Sequence, residues 1–534
     1  MKRSFLALIL FFICMPLSYA TQESPDIIYS LPSSYASVEP SSLWRRADKN
    51  WKALSNADYK DSLGWLYAAD DMLVAAPALE KLASELKANY DYVVLLGMGG
   101  SALPAAALKA AASAKRGYPE LIVLDTSNPD TFLRTEKEVK IARTLFIVSS
   151  KSGTTVETMS AYKYFWQKVY AAKGENAGQN FIAVTDKATP LYEEAQNKKF
   201  LRVFENRKDM GGAFVAVSYS FVLPAALAGY DVEKILTAVK DYQVYLKKDF
   251  TLPSVLSKTL ARTSSRVFFV ADKKFQPLCV WIGEILSESF GKQGLGVAPI
   301  ITEKLDKTLL TPSDLVVYIG AKEKKAELVC PSFYLKAKNE QDIAKQFILW
   351  QFAAFSTAVN LDLEPFKQPD SGLSKKMTAK ILKDGVIPVE FAFSKVLNGL
   401  PVSVPQMLKD NSADADYIAL LVYADADKAN VSAVKKFADT LQEKLHKPVI
   451  VACGPAYQHT LGQFFKGGKN KGLFVIIGAV KNDLPLDSGD NVKTLILSQA
   501  YGDFLALEET GRKVAYVNLN IPVQDYLKTL SANF

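Results

Sequence analysis

Histidine is nearly missing from this chain: two residues, His446 and His459, in 534. That is too few for a multi-histidine metal centre. Cysteine is scarce as well. Of the four cysteines, Cys14 falls in an N-terminal leader, while Cys279, Cys330 and Cys453 stand in apolar surroundings without metal-ligand spacing. Buried thiols are therefore expected, and a disulfide framework is not. Long apolar runs stop after the first twenty residues, so no later segment has the unbroken length needed to cross a bilayer. Repeats of 20–50 residues and low-complexity tracts are absent, as is a strong excess of charge. Without residues 1–20 the chain holds 62 basic against 56 acidic residues. Its lysines are scattered in pairs such as Lys273-Lys274 and Lys435-Lys436, with no interleaved aromatics, which argues against a nucleic-acid stripe. A small phosphorylated ligand is compatible with that balance.

What is present begins with "MKRSFLALILFFICMPLSYA", in which Lys2 and Arg3 precede an apolar run from Phe5 to Met15, then Pro16 and a Ser-Tyr-Ala ending. This is the plan of a secretory signal peptide, with cleavage expected after Ala20, export of the mature chain, and no membrane attachment thereafter. Residues 21–90 lack strand alternation, and their spacing predicts a helical lead-in. From Tyr92 onward, apolar runs that end in Gly, Asp or Ser alternate with helical stretches: "YVVLLG", "ELIVLD", "TLFIVSS" and "NFIAVTD". That rhythm predicts parallel β-sheets covered by helices on both faces. A helical stretch near 213–248 closes the first unit, residues 91–248. A second series, "SRVFFVAD", "DLVVYIG", "ALLVYAD", "PVIVACG", "GLFVIIG", "KTLILS" and "VAYVNL", defines a second unit over 262–534. Between these strands, Ile343, Phe347, Trp350 and Ala354 mark one face of an amphipathic core helix.

Two loops carry chemistry. In "YVVLLGMGGSALPAAALKA", residues 92–110, a buried strand gives way to glycines and Ser101 before a helix. Gly97-x-Gly99-x-x-Ala102 fits a dinucleotide fingerprint loosely, with Asp125 placed to hold a ribose. The competing reading is that the N–H groups of Gly99, Gly100 and Ser101 face a sugar or a phosphate. A plain strand-to-helix turn would need neither ligand. The second loop, "SSKSGTTVET", concentrates Ser149, Ser150, Ser152, Thr154 and Thr155 around Lys151 at a helix start. One helix cap requires one hydroxyl, so five hydroxyls and a helix dipole favour a phosphate monoester.

"GMGGS", "SSKSGTTVET", "MGGAF" (210–214), "ESFGKQG" (288–294), "PFKQPDSGLSKK" (365–376) and "GPAYQHTLGQFFKGG" (454–468) occur here in the order seen in phosphoglucose isomerases. Between about Tyr92 and Leu519 the chain most resembles the isomerase half of bacterial transaldolase–isomerase fusions. The resemblance implies an α/β fold of two sugar-isomerase (SIS) domains, each an αβα sandwich with a parallel sheet. It also implies interconversion of glucose 6-phosphate and fructose 6-phosphate without metal or other cofactor. Ser150, Lys151, Ser152 and Thr155 would hold the substrate phosphate. Gly100, Ser101, Gly212 and Gln368 would line the sugar. Glu288 would be the base that moves a proton between C1 and C2 through a cis-enediolate, a task suited to a desolvated carboxylate. His459 and Lys375 would assist ring opening, and a homodimer is implied as well.

Three positions depart from the family pattern. Ala213 stands where an arginine normally stabilises the enediolate, and losing such a donor typically costs ~10²–10³ in rate. Arg207 and Lys208 are the nearby candidates to replace it. Glu284 stands four residues before Glu288 in place of glutamine, so a shared helix face would set two like charges together. Phe465 replaces a second histidine. These departures raise a second expectation, a sugar-phosphate binding protein with weak turnover or none.

Overall fold

A computed structural model describes residues 19–24, 27–32 and 62–534, apart from 264, 321–326, 386–390 and 394–402. Residues 1–18 of the expected signal peptide lie outside the described residues. Strands β1 (Tyr19–Ser24) and β2 (Ile27–Pro32) follow them directly. The lead-in is therefore not wholly helical: β2 pairs with β1 and lies antiparallel along a strand more than three hundred positions later. This long-range pairing has no short-range signature in composition. The predicted helix does appear further on, at Ala68–Leu86.

The first sheet contains β3 (Tyr92–Leu96), β4 (Glu120–Leu124), β5 (Thr144–Ser149), β6 (Phe181–Thr185) and β7 (Arg202–Glu205) in the order β4-β3-β5-β6-β7, all parallel. The helices Tyr219–Leu227 and Val232–Lys248 close it as expected. Residues 262–534 then build two sheets where one unit was expected. One contains β8 (Arg266–Ala271), β9 (Ala298–Thr302), β10 (Leu315–Gly320) and β11 (Ser332–Lys336), extended by β2 and β1 in the order β1-β2-β11-β10-β8-β9. The other contains β12 (Phe391–Phe393), β13 (Tyr417–Ala424), β14 (Val449–Cys453), β15 (Gly472–Ala479) and β16 (Lys513–Asn518) in the order β12-β16-β15-β13-β14. β9 and β11 interrupt the anticipated series, and "KTLILS" belongs to the helix Val492–Glu509 instead of a strand. Asn491 caps that helix by accepting from the Thr494 N–H. An apolar run of six cannot by itself distinguish a buried helix from a buried strand.

The period of two along each strand stacks these sheets into layers. Val267 and Phe269 face one core with Val93, Leu95 and the helices Gln276–Phe290 and Glu340–Asn360. Phe268 and Val270 face the opposite way, into a core shared with Ala419, Leu421, Phe474 and Ile476 of the third sheet. The second sheet is thus buried on both faces. Each large side chain it buries stabilises the fold by ~1.5–3 kcal/mol. Trp281 and Trp350 sit wholly inside the first of these cores. The predicted 343–354 face is the centre of Glu340–Asn360, with Ile343, Phe347, Trp350 and Ala354 all buried.

Candidate active site

The glycine loop leaves β3 at Gly97 and turns tightly over Gly99–Ser101 before the helix Leu103–Ala111. Gly99 has φ +50°, a left-handed conformation that favours glycine. A Cβ at Gly99 would lie 2.6 Å from Glu284 Oε1 and 2.9 Å from the His459 carbonyl oxygen. A Cβ at Gly100 would lie 2.9 Å from the Gly212 carbonyl oxygen. These glycines therefore admit three other segments of the protein to the tip of the first sheet. Gly99→Ala is expected to cost ~1–3 kcal/mol from the strained φ and the displaced carboxyl, measured by urea denaturation.

The second loop follows β5. Gly153, at φ +66°, lets it turn, and the helix Val156–Lys173 begins behind it. Thr155 occupies the cap position, yet its hydroxyl makes no capping bond. It pairs instead with the Ser150 hydroxyl at 2.9 Å, while Ser152 pairs with Thr154 at 3.0 Å. Hydroxyls and the first helical N–H groups thus share one strand end, the arrangement suited to a compact anion. Lys151 is less free than the sequence suggests, because its ammonium is held by Asp186.

Glu284 and Glu288 lie one turn apart on Gln276–Phe290, and both are buried. Oε2 of each has no hydrogen-bond partner among the described residues. Burial pushes the Glu288 carboxyl up to about 8, against the opposing pull of Lys292, the Ala213 N–H, Lys375 and Gln368. Burial, and then the charge of Glu288, hold Glu284 well above the carboxylate range; only the Gly100 N–H opposes them, donating to Oε1 at 2.7 Å. The like-charge conflict expected from the spacing is therefore present. A Cβ at Gly212 would sit 3.5 Å from Gln368 Nε2 and 3.7 Å from Glu288 Oε2. Gly212, Gln368 and Glu288 consequently border one small space.

Lys292 fixes the loop that carries Gln368. Its ammonium donates to the Glu364 carbonyl at 2.6 Å and also to that of Lys367, and burial brings its own pKa down to about 8. Gln463 holds the next turn, accepting from the Asp370 and Ser371 N–H groups at 3.0 and 3.2 Å. Ala213 is buried, and Arg207 does not replace the missing arginine. Its guanidinium is engaged by Asp209 through two 2.8 Å contacts and by Asp71 through a third, beside a separate cavity of about 210 Å³. Lys208 is exposed.

His459 ends the short turn Ala456–His459 with Nε2 3.0 Å from Glu157 Oε1. Burial alone would raise the Glu157 carboxyl, but the adjacent His459, its own backbone N–H and Lys375 hold it below the ordinary value. Glu157 also accepts from Gln499 Nε2 at 2.7 Å, and Gln499 accepts from Ser127 at 2.9 Å. Lys375, exposed on the helix Gly372–Asp384, acts on both Glu157 and Glu288. Of the residues expected to act together, Gly100, Gly212, Gln368, Glu288 and His459 are linked through these contacts, and Lys375 reaches them through its charge. Ser101 stands at the end of the glycine turn. Glu157 and Lys292 lie within motifs singled out above but had been given no role. A buried glutamate opening a helix behind a hydroxyl run, and a lysine one turn beyond the base, are the signals that could have found them. Gln499 has no such signal.

A solved structure supports the layered α/β fold. A hypothetical protein of Thermus thermophilus, 21% identical, superposes with a TM-score of 0.54 over 64% of this chain and 93% of its own. The topology and this superposition both define a layered α/β protein of mostly parallel sheets. Residues 84–247 match the family model for phosphoglucose isomerase. The glucose-6-phosphate isomerase of Campylobacter jejuni subsp. jejuni serotype O:2 is 27% identical over 39% of this chain and 53% of its own length. The glucose-6-phosphate isomerase of Thermus thermophilus is 30% identical over 43% and 56%. The chain spans about half the length of these curated relatives. The similarity to phosphoglucose isomerases is thus carried by residues 84–247.

Proposed function

We propose that this protein is an aldose–ketose isomerase that interconverts glucose 6-phosphate and fructose 6-phosphate. The observation that carries this reading is the buried Glu288 carboxyl, raised to about 8 and facing the space between Gly212 and Gln368. A base with that pKa can both remove and return a carbon-bound proton near neutrality. The ester phosphate sits against Ser150, Ser152, Thr155 and the start of Val156–Lys173, with Lys151 adding charge from beside Asp186. Gly100 and Ser101 border the sugar. His459, oriented by Glu157, exchanges a proton with the ring oxygen, and Lys375 assists. Once the chain is open, Glu288 takes the C2 proton, the freed pair forms the C1–C2 double bond of the cis-enediolate as the C1=O π pair passes to O1, and the same proton returns at C1 as C2=O forms. The O2 hydroxyl proton moves to O1, which completes the ketose.

The second reading is a sugar-phosphate binding protein with little turnover, favoured by Ala213 and by the engagement of Arg207 elsewhere. Incubating the mature protein with fructose 6-phosphate separates the two. Formation of glucose 6-phosphate supports the isomerase, whereas a raised melting temperature without product supports the binding protein. Export on the 1–20 leader and assembly as a homodimer complete the proposal. Sequencing the N-terminus of secreted protein tests the first, expecting Thr21, and sedimentation tests the second.

A further inference from the structure

Two carboxyl groups one turn apart in a buried site pose a question of charge: which one keeps a proton? Their surroundings differ sharply. Glu288 is supported as an anion by Lys292, Lys375, the Ala213 N–H and Gln368. Glu284 has the Gly100 N–H alone. The other segment packed at Gly99, the His459 turn, presents a carbonyl oxygen there, while its imidazole is directed to Glu157. The charged group whose field reaches Glu284 is Glu288, and it repels a second negative charge. Once Glu288 ionises, as the pH passes about 8, the pair is therefore divided into one anion and one neutral acid. Glu284 is the acid. Its Oε1 accepts from Gly100, and its Oε2 is buried without a protein partner among the described residues, so an O–H is available there. The same site lacks a cationic side chain at position 213.

We infer that Glu284 is carried as a neutral acid and donates a hydrogen bond to the sugar oxygen that gains negative charge beside Glu288, supplying stabilisation that Ala213 cannot. The donor role rests on the isomerase reading; the protonated state does not. The geometry also explains why glutamate tolerates burial in this helix: a neutral carboxylic acid has nearly the shape of glutamine, with an O–H where the amide has N–H. No proton leaves Glu284 during turnover, because the charge that it meets is transient and its proton is shared only in the hydrogen bond.

Infrared difference spectra of wild type against Glu284→Gln at about pH 9, where Glu288 is ionised, test the protonated state. A protonated-carboxyl band lost in the variant is expected, and its absence from the wild type overturns the inference. Fructose 6-phosphate should move that band. A ligand-induced rise in melting temperature with the band unmoved overturns this inference alone, whereas no rise at all overturns the hexose-phosphate reading and leaves the infrared result to decide the protonation. In turnover, Glu284→Met should lower kcat ~10²-fold, the scale of one lost oxyanion donor, with KM little changed; an unaltered kcat excludes the role. Glu284→Gln exchanges a neutral group for a neutral group, so the acid limb of kcat/KM should stay in place. A limb moved to lower pH would show that Glu284 was ionised.

Discussion

Glu288→Gln is expected to lower the exchange of the C2 proton with solvent, and turnover with it, by ~10²–10⁴-fold, the contribution of a positioned general base. Binding of fructose 6-phosphate, read by the ligand-induced rise in melting temperature, should be nearly unchanged, because the phosphate loop is built from other residues. Full exchange in the variant would remove Glu288 from the reaction. The wild-type pH profile supplies a second check. The base acts when ionised, so kcat/KM should climb as pH rises toward about 8, where burial places the carboxyl. Stability should move the opposite way. Between the ordinary carboxylate range and about 8 the folded protein binds more protons than the unfolded chain, so stability falls across that window as pH rises. Glu288→Gln removes that part of the slope, which denaturant titrations at several pH values would reveal.

Asp503→Ala should produce the largest loss of stability. Asp503 and Lys466 form an ion pair at 2.9 Å with both side chains wholly buried. Asp503 also accepts from Tyr457 and Ser374. Removing the carboxylate leaves an ammonium with no compensating charge in the interior, which costs ~3–5 kcal/mol. The Lys466→Met, Asp503→Asn double variant, which removes both charges, should recover part of that loss in urea denaturation. A loss below about 1 kcal/mol for Asp503→Ala would mean that water reaches the pair. The effect extends to chemistry, because Tyr457 bonds to Tyr423, Tyr423 accepts from Gln458, and Tyr457 and Gln458 belong to the turn that ends at His459. Turnover should therefore fall before the protein unfolds.

The parts legible in the sequence were those encoded locally. β3, β5 and β6 are runs of mostly buried apolar residues ended by glycine, serine or threonine, and the hydroxyl loop is contiguous. The spacing of Glu284 and Glu288 suits a shared helical face, the condition under which their like-charge conflict was expected. What escaped detection depends on distant partners. Ile27–Pro32 becomes a strand because β11 offers an edge. "KTLILS" becomes helical because Asn491 caps it and the residues after it continue the helix. His459 meets Glu157 through the docking of the third sheet's loops on the first, and no short window records that encounter.

The spaces above Gly99 and Gly100 are occupied by a carboxyl, a carbonyl and a turn from elsewhere in the chain. Basicity at Glu288 is consequently a property of assembly: a partly folded chain carries an ordinary acid there, and the proton-transfer group comes into being only when all three layers have closed around it.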